Sequence, residues 1–371
     1  MSGSENEFIP SARPVIEERD IEAAVRVLRS GMVVQGPEVA AFEEEFSEFV
    51  DGRHCIAVNS GTSALQLSLL AMGIGPGDEV IVPSFTFAAS ANAVRLVGAE
   101  PVFADIEPGS FNINPDAVEA AIGPKTAAIM PVHLYGQPAD MDRIQSIAQK
   151  HELGVLEDAA QAHAAEWGGR KVGAIGTAGC FSFYPTKNMH SLEGGMVTTA
   201  DPALARTLRL LRNQGMEQRY ANEIVGANMR LTDVAAAIGR EQLKRLPEWT
   251  QKRRANAKVL DSGLTGVTTP PVADGAKHVY HQYTVRVQGD REAIQQGLKD
   301  RGIGSAAYYP TPIHRLKPYL AADGSLSRDW DLAETDRAAA EVLSLPVFPS
   351  LTDADLDRIV TAVNEVTEPL K

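Results

Sequence analysis

Cys55-Ile56-Ala57-Val58-Asn59-Ser60-Gly61-Thr62-Ser63 decides the architecture: an apolar run ends in a small polar turn, and a helical pattern follows from Ser63 to Met72. The unit reads as strand, tight turn, helix. The same alternation continues outward. Further strands are predicted at Glu79 to Pro83, Pro101 to Asp105, Ala127 to His133, Gly154 to Glu157, Cys180 to Phe183 and Gly195 to Thr199, with a helix at Met141 to His151. Strands separated by helices imply an α/β layer architecture with a mostly parallel central sheet. From Ala203 to Leu246 the pattern is wholly helical, and its segment from Asp233 is rich in alanine. The basic run Gln251-Lys252-Arg253-Arg254 after Pro247 reads as the solvated face of a connecting helix. Beyond it come a strand at Gln282 to Val287 and helices at Arg291 to Arg301 and Ala354 to Val366. The expectation is a large domain over residues 1–250 and a small C-terminal α+β domain over 251–371, on which the N-terminal segment can pack.

With 371 residues and 44% hydrophobic content, the chain can bury a large core. A net charge of -13 argues against nucleic acid as a partner, although a local pocket can still hold a phosphate. The start, Met1 to Glu7, is polar and lacks the apolar core of a signal peptide, and no stretch is long and apolar enough for a bilayer. Cys55 and Cys180 each sit in an apolar run, which predicts two buried free thiols. A soluble cytoplasmic protein is the expectation. No HExxH, CxxC or carboxylate cluster supports a metal, and no GxSxG elbow supports a serine hydrolase.

Three positions carry the chemistry. In Phe181-Ser182-Phe183-Tyr184-Pro185-Thr186-Lys187-Asn188 a strand runs into a turn stopped by Pro185, leaving Lys187 at its tip. A lysine beside apolar rings loses hydration, which lowers its pKa and frees its lone pair for Schiff-base chemistry. The turn at Gly61, Thr62 and Ser63 combines a permissive glycine, two hydroxyls and free helix-start N–H groups, which suits one phosphate. Taken alone, an ordinary helix cap is the commoner use of such a turn. Asp158 ends a middle strand, where it either holds a proton on a pyridine nitrogen or caps the segment that follows. Phe87 either stacks on a flat ring or packs in the core, and His133 and His163 read as structural histidines at strand ends. Amine, carboxylate and anion turn would meet at one sheet edge, which is what a pyridoxal phosphate site requires.

The chain resembles the DegT/DnrJ/EryC1/StrS family of sugar aminotransferases, which have the pyridoxal-phosphate fold type I. The matching stretches are Asn59 to Leu65, Pro131 to Gly136, Glu157 to His163, Phe181 to Asn188, Asn228 to Asp233, Tyr309 to His314 and Leu345 to Pro349. The resemblance implies that Lys187 binds pyridoxal 5'-phosphate covalently and that Asp158 meets the pyridine nitrogen. It places Gly61, Thr62, Ser63 and Ser182 at the phosphate, Phe87 on the ring and Gln161 near the ring hydroxyl. It gives Asn228 to the phosphate of the neighbouring subunit, hence a homodimer with shared active sites, and lines the sugar side with His163, Tyr309 and His314. It further implies L-glutamate as donor, pyridoxamine 5'-phosphate as carrier and a keto group of a nucleotide-linked deoxysugar as acceptor. Glu193-Gly194-Gly195-Met196 resembles relatives acting at C4 of the sugar. His190-Ser191-Leu192, Gln214 and Ala227 depart from the family pattern on the substrate side, so the sugar stays open. The rivals are a pyridoxamine-phosphate sugar dehydratase of the same family, which carries histidine in place of the lysine, and a catalytically silent binding or regulatory scaffold.

Overall fold

The computed structural model describes residues 7–368. The expectation about Met1 to Glu7 falls almost wholly on residues outside that range. Seven strands form the central sheet: β1 His54–Val58, β2 Glu79–Pro83, β3 Glu100–Ala104, β4 Thr126–Ile129, β5 Gly154–Asp158, β6 Ala178–Ser182 and β7 Gly195–Thr199. Their spatial order is β1-β7-β6-β5-β4-β2-β3. Strands β3, β2, β4, β5 and β6 pair in parallel, and β7 runs antiparallel to both β6 and β1. The solved strands lie within a few residues of the predicted ones because alternation and turn residues fixed them locally.

Both faces of the sheet are buried. Cys180 packs with Ile56, Val58, Leu65 and Leu156 on one face, while Phe181 and Phe183 join Phe42, Phe46 and Leu246 on the other. The alternation of side chains along β6 thus anchors the strand by its phenylalanines and leaves Ser182 facing away from them. Phe183 lies 5.1 Å from Phe42 and 5.6 Å from Phe46, ring centre to ring centre. A further apolar cluster gathers Leu260, Tyr283, Val285, Leu298, Leu345 and Ile359 from the C-terminal third. Ile9 joins it, exchanging backbone hydrogen bonds with Gly302 and Gly304.

Two expectations are corrected. The region from Ala203 to Leu246 is not one helical run: a helix at Pro202–Arg212 gives way to a small hairpin of Met216–Gln218 and Ala221–Asn222, and a new helix starts at Asp233. Gly215 sits at φ 75°, a left-handed conformation that favours glycine, and a Cβ there would strike the Ile224 carbonyl at 1.8 Å. Thr232 caps the new helix through Ala235 N–H. That helix then runs through Pro247 to Gly263, feeding Leu246 to one cluster and Leu260 to another. The basic run is also not wholly solvated, since Arg253 is buried and donates to the Tyr280 carbonyl at 3.1 Å. Cys55 and Cys180 are buried free thiols. Among the described residues no helix is long and apolar enough to cross a membrane, and no cluster of metal-ligating side chains occurs.

Candidate active site

A cavity of about 520 Å³ opens at the C-terminal ends of β5 and β6, where α/β sheets place their ligands. Its wall includes Gly61, Thr62, Phe87, Ser90, Asp158, Gln161, Ser182, Lys187 and Tyr309. Sequence positions from the first strand-turn-helix unit to the C-terminal third therefore meet in one space.

The anion cradle is built by close approach. The helix Gly61–Ala71 starts against Ser182, and a Cβ on Gly61 would lie 2.8 Å from the Ser182 Cβ. The first N–H groups of a helix have no partner in a preceding turn, so those of Gly61 and Thr62 face the cavity as donors. The Ser182 hydroxyl accepts from Tyr184 N–H at 3.4 Å and keeps its own proton to donate. Ser63 is differently employed: its hydroxyl donates to Asn59 at 2.7 Å, and its N–H donates to Ser60 at 3.1 Å. Ser60, not Ser63, lines the cavity.

Lys187 is set in a turn that closes by its own N–H donating to the Tyr184 carbonyl at 2.9 Å. Asn188 pins the turn from behind, donating to the Val279 carbonyl at 3.1 Å. Burial lowers the Lys187 ammonium to about 8, and Asp158 opposes that shift only in part. A glycine pair follows for steric reasons. A Cβ on Gly194 would meet Ser191 Oγ at 2.5 Å, and one on Gly195 would meet the Ser60 carbonyl at 2.4 Å. Glu193 is the member of this run that faces the cavity.

Asp158 is 5% exposed. Ser90 Oγ donates to its Oδ2 at 2.8 Å and Ala160 N–H to its Oδ1 at 3.2 Å. Burial raises its pKa, with these donors and Lys187 pulling the other way. Gln161 has a fixed orientation, since its Oε1 accepts from Tyr135 N–H at 2.8 Å. Its Nε2 therefore faces the cavity and donates to Tyr309 Oη at 3.0 Å. Phe87 is 59% exposed at the rim, which favours a ring contact over core packing.

The other candidates lie elsewhere. His163 is sealed between Phe181 and Phe183 behind the wall, both ring nitrogens without partners, and burial with the nearby Lys187 charge lowers it to about 3. His314 is buried too, with Nδ1 2.8 Å from Ser84 Oγ. Neither lines the cavity; of the three sugar-side candidates only Tyr309 does. Asn228 is exposed on a bridge to Asn213, away from this wall. His133 lies 3.0 Å from Glu157 in a sealed pair. Sequence reasoning missed Thr86, Ser90 and His281, which line the cavity through packing and carry no local motif.

The family model for the DegT/DnrJ/EryC1/StrS aminotransferase family matches residues 14–364. The chain is 44% identical to the dTDP-3-amino-3,4,6-trideoxy-alpha-D-glucose transaminase of Streptomyces venezuelae, over 93% of this chain and 91% of that one. The crystal structure of S. venezuelae DesV in complex with a ketimine intermediate superposes with a TM-score of 0.90 at 43% identity, covering 94% of each chain. The structure of NtdA from Bacillus subtilis with bound cofactor PMP superposes at 0.89 and 32% identity, covering 98% of this chain and 87% of that one.

Proposed function

We propose that this chain, which belongs to the DegT/DnrJ/EryC1/StrS aminotransferase family, uses pyridoxal 5'-phosphate to move an amino group from L-glutamate to a keto group of a nucleotide-linked deoxysugar, at C4. The carrying observation is that a depressed lysine, a buried carboxylate and an amide-and-hydroxyl cradle line one cavity. These residues fit a phosphorylated pyridine. The cradle leaves no room for a Cβ at Gly61 and supplies donors only, while the carboxylate has lone pairs beyond those that Ser90 and Ala160 use.

When bound, pyridoxal phosphate supplies an aldehyde that captures amines and a ring that withdraws electrons from a neighbouring C–H bond. Gly61, Thr62 and Ser182 would hold its phosphate, and Phe87 would cover the ring. Asp158 would keep a proton on the ring nitrogen, and Gln161 Nε2, which now donates to Tyr309 Oη, would have a second N–H for the ring hydroxyl. Lys187, on the cavity wall, would hold the cofactor through its Nζ. The same Nζ would move the proton at the glutamate Cα, a task suited to an amine lowered to about 8. The same amine would move the proton on the sugar side. Glu193 at the mouth stands on the acceptor side, with Tyr309. Asn228, exposed and not lining its own cavity, would serve the phosphate of a second copy, with a homodimer as the active unit. The enzyme works in the cytoplasm, where glutamate and nucleotide sugars are made.

The test incubates the purified protein and cofactor with L-glutamate and a panel of nucleotide 4-keto and 3-keto sugars. Amino-sugar product with 2-oxoglutarate is expected. Dehydrated sugar without 2-oxoglutarate would establish the dehydratase instead, and loss of neither substrate would point to a silent scaffold.

A further inference from the structure

Ser90 lies in the first turns of the helix Ala89–Leu96, fully buried, with its hydroxyl on the cavity wall. Serine in a helix interior has a cheaper use for its hydroxyl, which is to back-bond to its own helix. Here it reaches across to β5 and donates to Asp158 Oδ2 at 2.8 Å. Thr86 stands behind it at 3.4 Å, close enough for a weak contact that leaves the Ser90 proton on Asp158. A hydroxyl proton given to a carboxylate stabilises its charged form, so it favours leaving the shared proton on the partner base.

We propose that Ser90 is a positioning residue that sets, through Asp158, how fully the ring nitrogen of the bound cofactor is protonated. This inference rests on the cofactor reading given above. The ionisable groups around Asp158 are Lys187, His133, Tyr309 and Cys180, with Glu157 next to it in the chain but on the opposite face of the sheet. Tyr309 and Cys180 have their ionisation pushed up by burial and stay neutral, and Glu157 is held charged by its own partners. Lys187 is committed to the cofactor in the loaded enzyme. Ser90 is thus the side-chain donor whose removal alters Asp158 without altering a charge. In Ser90→Ala the carboxylate binds its proton more tightly and the ring nitrogen loses part of its share. A less cationic ring withdraws less from the nitrogen that joins it to Lys187.

The experiment compares wild type, Ser90→Ala and Ser90→Thr, each loaded with cofactor carrying ¹⁵N in the ring. Three quantities are read: the ring ¹⁵N shift, the pH midpoint of the visible band, and the melting temperature of the apo protein. In Ser90→Ala the ¹⁵N signal should move toward neutral pyridine and the midpoint should rise by about half a unit to one unit, with Ser90→Thr restoring both. An unchanged ¹⁵N shift and midpoint in Ser90→Ala, whatever the melting temperature does, would overturn the inference by leaving Ser90 a purely structural role. Wild type that forms no visible band would instead overturn the cofactor reading itself.

Discussion

Glu157 and Asp158 are neighbours in the chain, both carboxylates and both buried, yet they meet opposite fates. Alternation along β5 turns them to opposite faces of the sheet. Glu157 accepts from Gly173, Ile175 and Gly176 N–H at 2.6 to 2.8 Å and lies 3.0 Å from His133 Nε2. Burial works against its charge, but His133 and the amides outweigh it and hold the carboxyl below its usual range. Asp158 has two donors and a cavity, and burial lifts it instead. The saturated carboxylate ties the 173–176 loop to the sheet, and the unsaturated one is left with capacity for a ligand. Burial alone does not mark a functional acid; unspent hydrogen-bonding capacity facing a cavity does.

The contrast can be broken most forcefully at Asp158. Asp158→Asn keeps the shape and should lower amino transfer by about 10³-fold, with apo stability near wild type. Steady-state rates and urea unfolding on the same samples check both halves. Glu157→Ala should do the reverse in kind. Stranding His133 and three amides costs about 3 kcal/mol of unfolding free energy, read from urea midpoints, while correctly folded protein still captures cofactor.

Lys187 sharpens the comparison from the cation side. A lysine held at about 8 when folded, against 10.5 when solvated, binds fewer protons in the native state than in the unfolded one. Its burial therefore opposes folding below about pH 8, and that penalty fades as pH rises from about 8 to 10.5. Lys187→Met should stabilise the apo protein at pH 7 by on the order of 2 kcal/mol, less than the whole shift because the amine is partly exposed. The advantage should vanish by pH 10.5, and a pH series of unfolding curves checks it. The smallest effect is expected at Gly61. Gly61→Ala pushes the helix start off Ser182 and should weaken cofactor binding about tenfold, measured by quenching of intrinsic fluorescence.

Much of this geometry was legible in the sequence where a strand ends in a turn. Asp158 ends its strand, and the Gly61 turn and Lys187 follow theirs within a few residues, so local pattern alone carried them to one end of the sheet. Ser63 shows the limit of that logic: the turn was right, but which hydroxyl faced inward depended on Asn59 and Ser60 competing for it. The hairpin after Arg212 was hidden because apolar spacing persisted on both sides of it, although Gly215 and Thr232 mark its ends. His163 and His314 could not be placed, since a histidine's surroundings are fixed by elements far away in the chain. Ser90, Thr86 and His281 belong to the same class, and only packing brings them in.

The bond from Gln161 to Tyr309 closes the wall between distant parts of the chain. A ribosome delivers Ser60 early, Lys187 near the midpoint, and His281 to Tyr309 only in the last third of synthesis. A nascent or clipped chain ending before His281 would thus carry the reactive amine without the roof that shelters it.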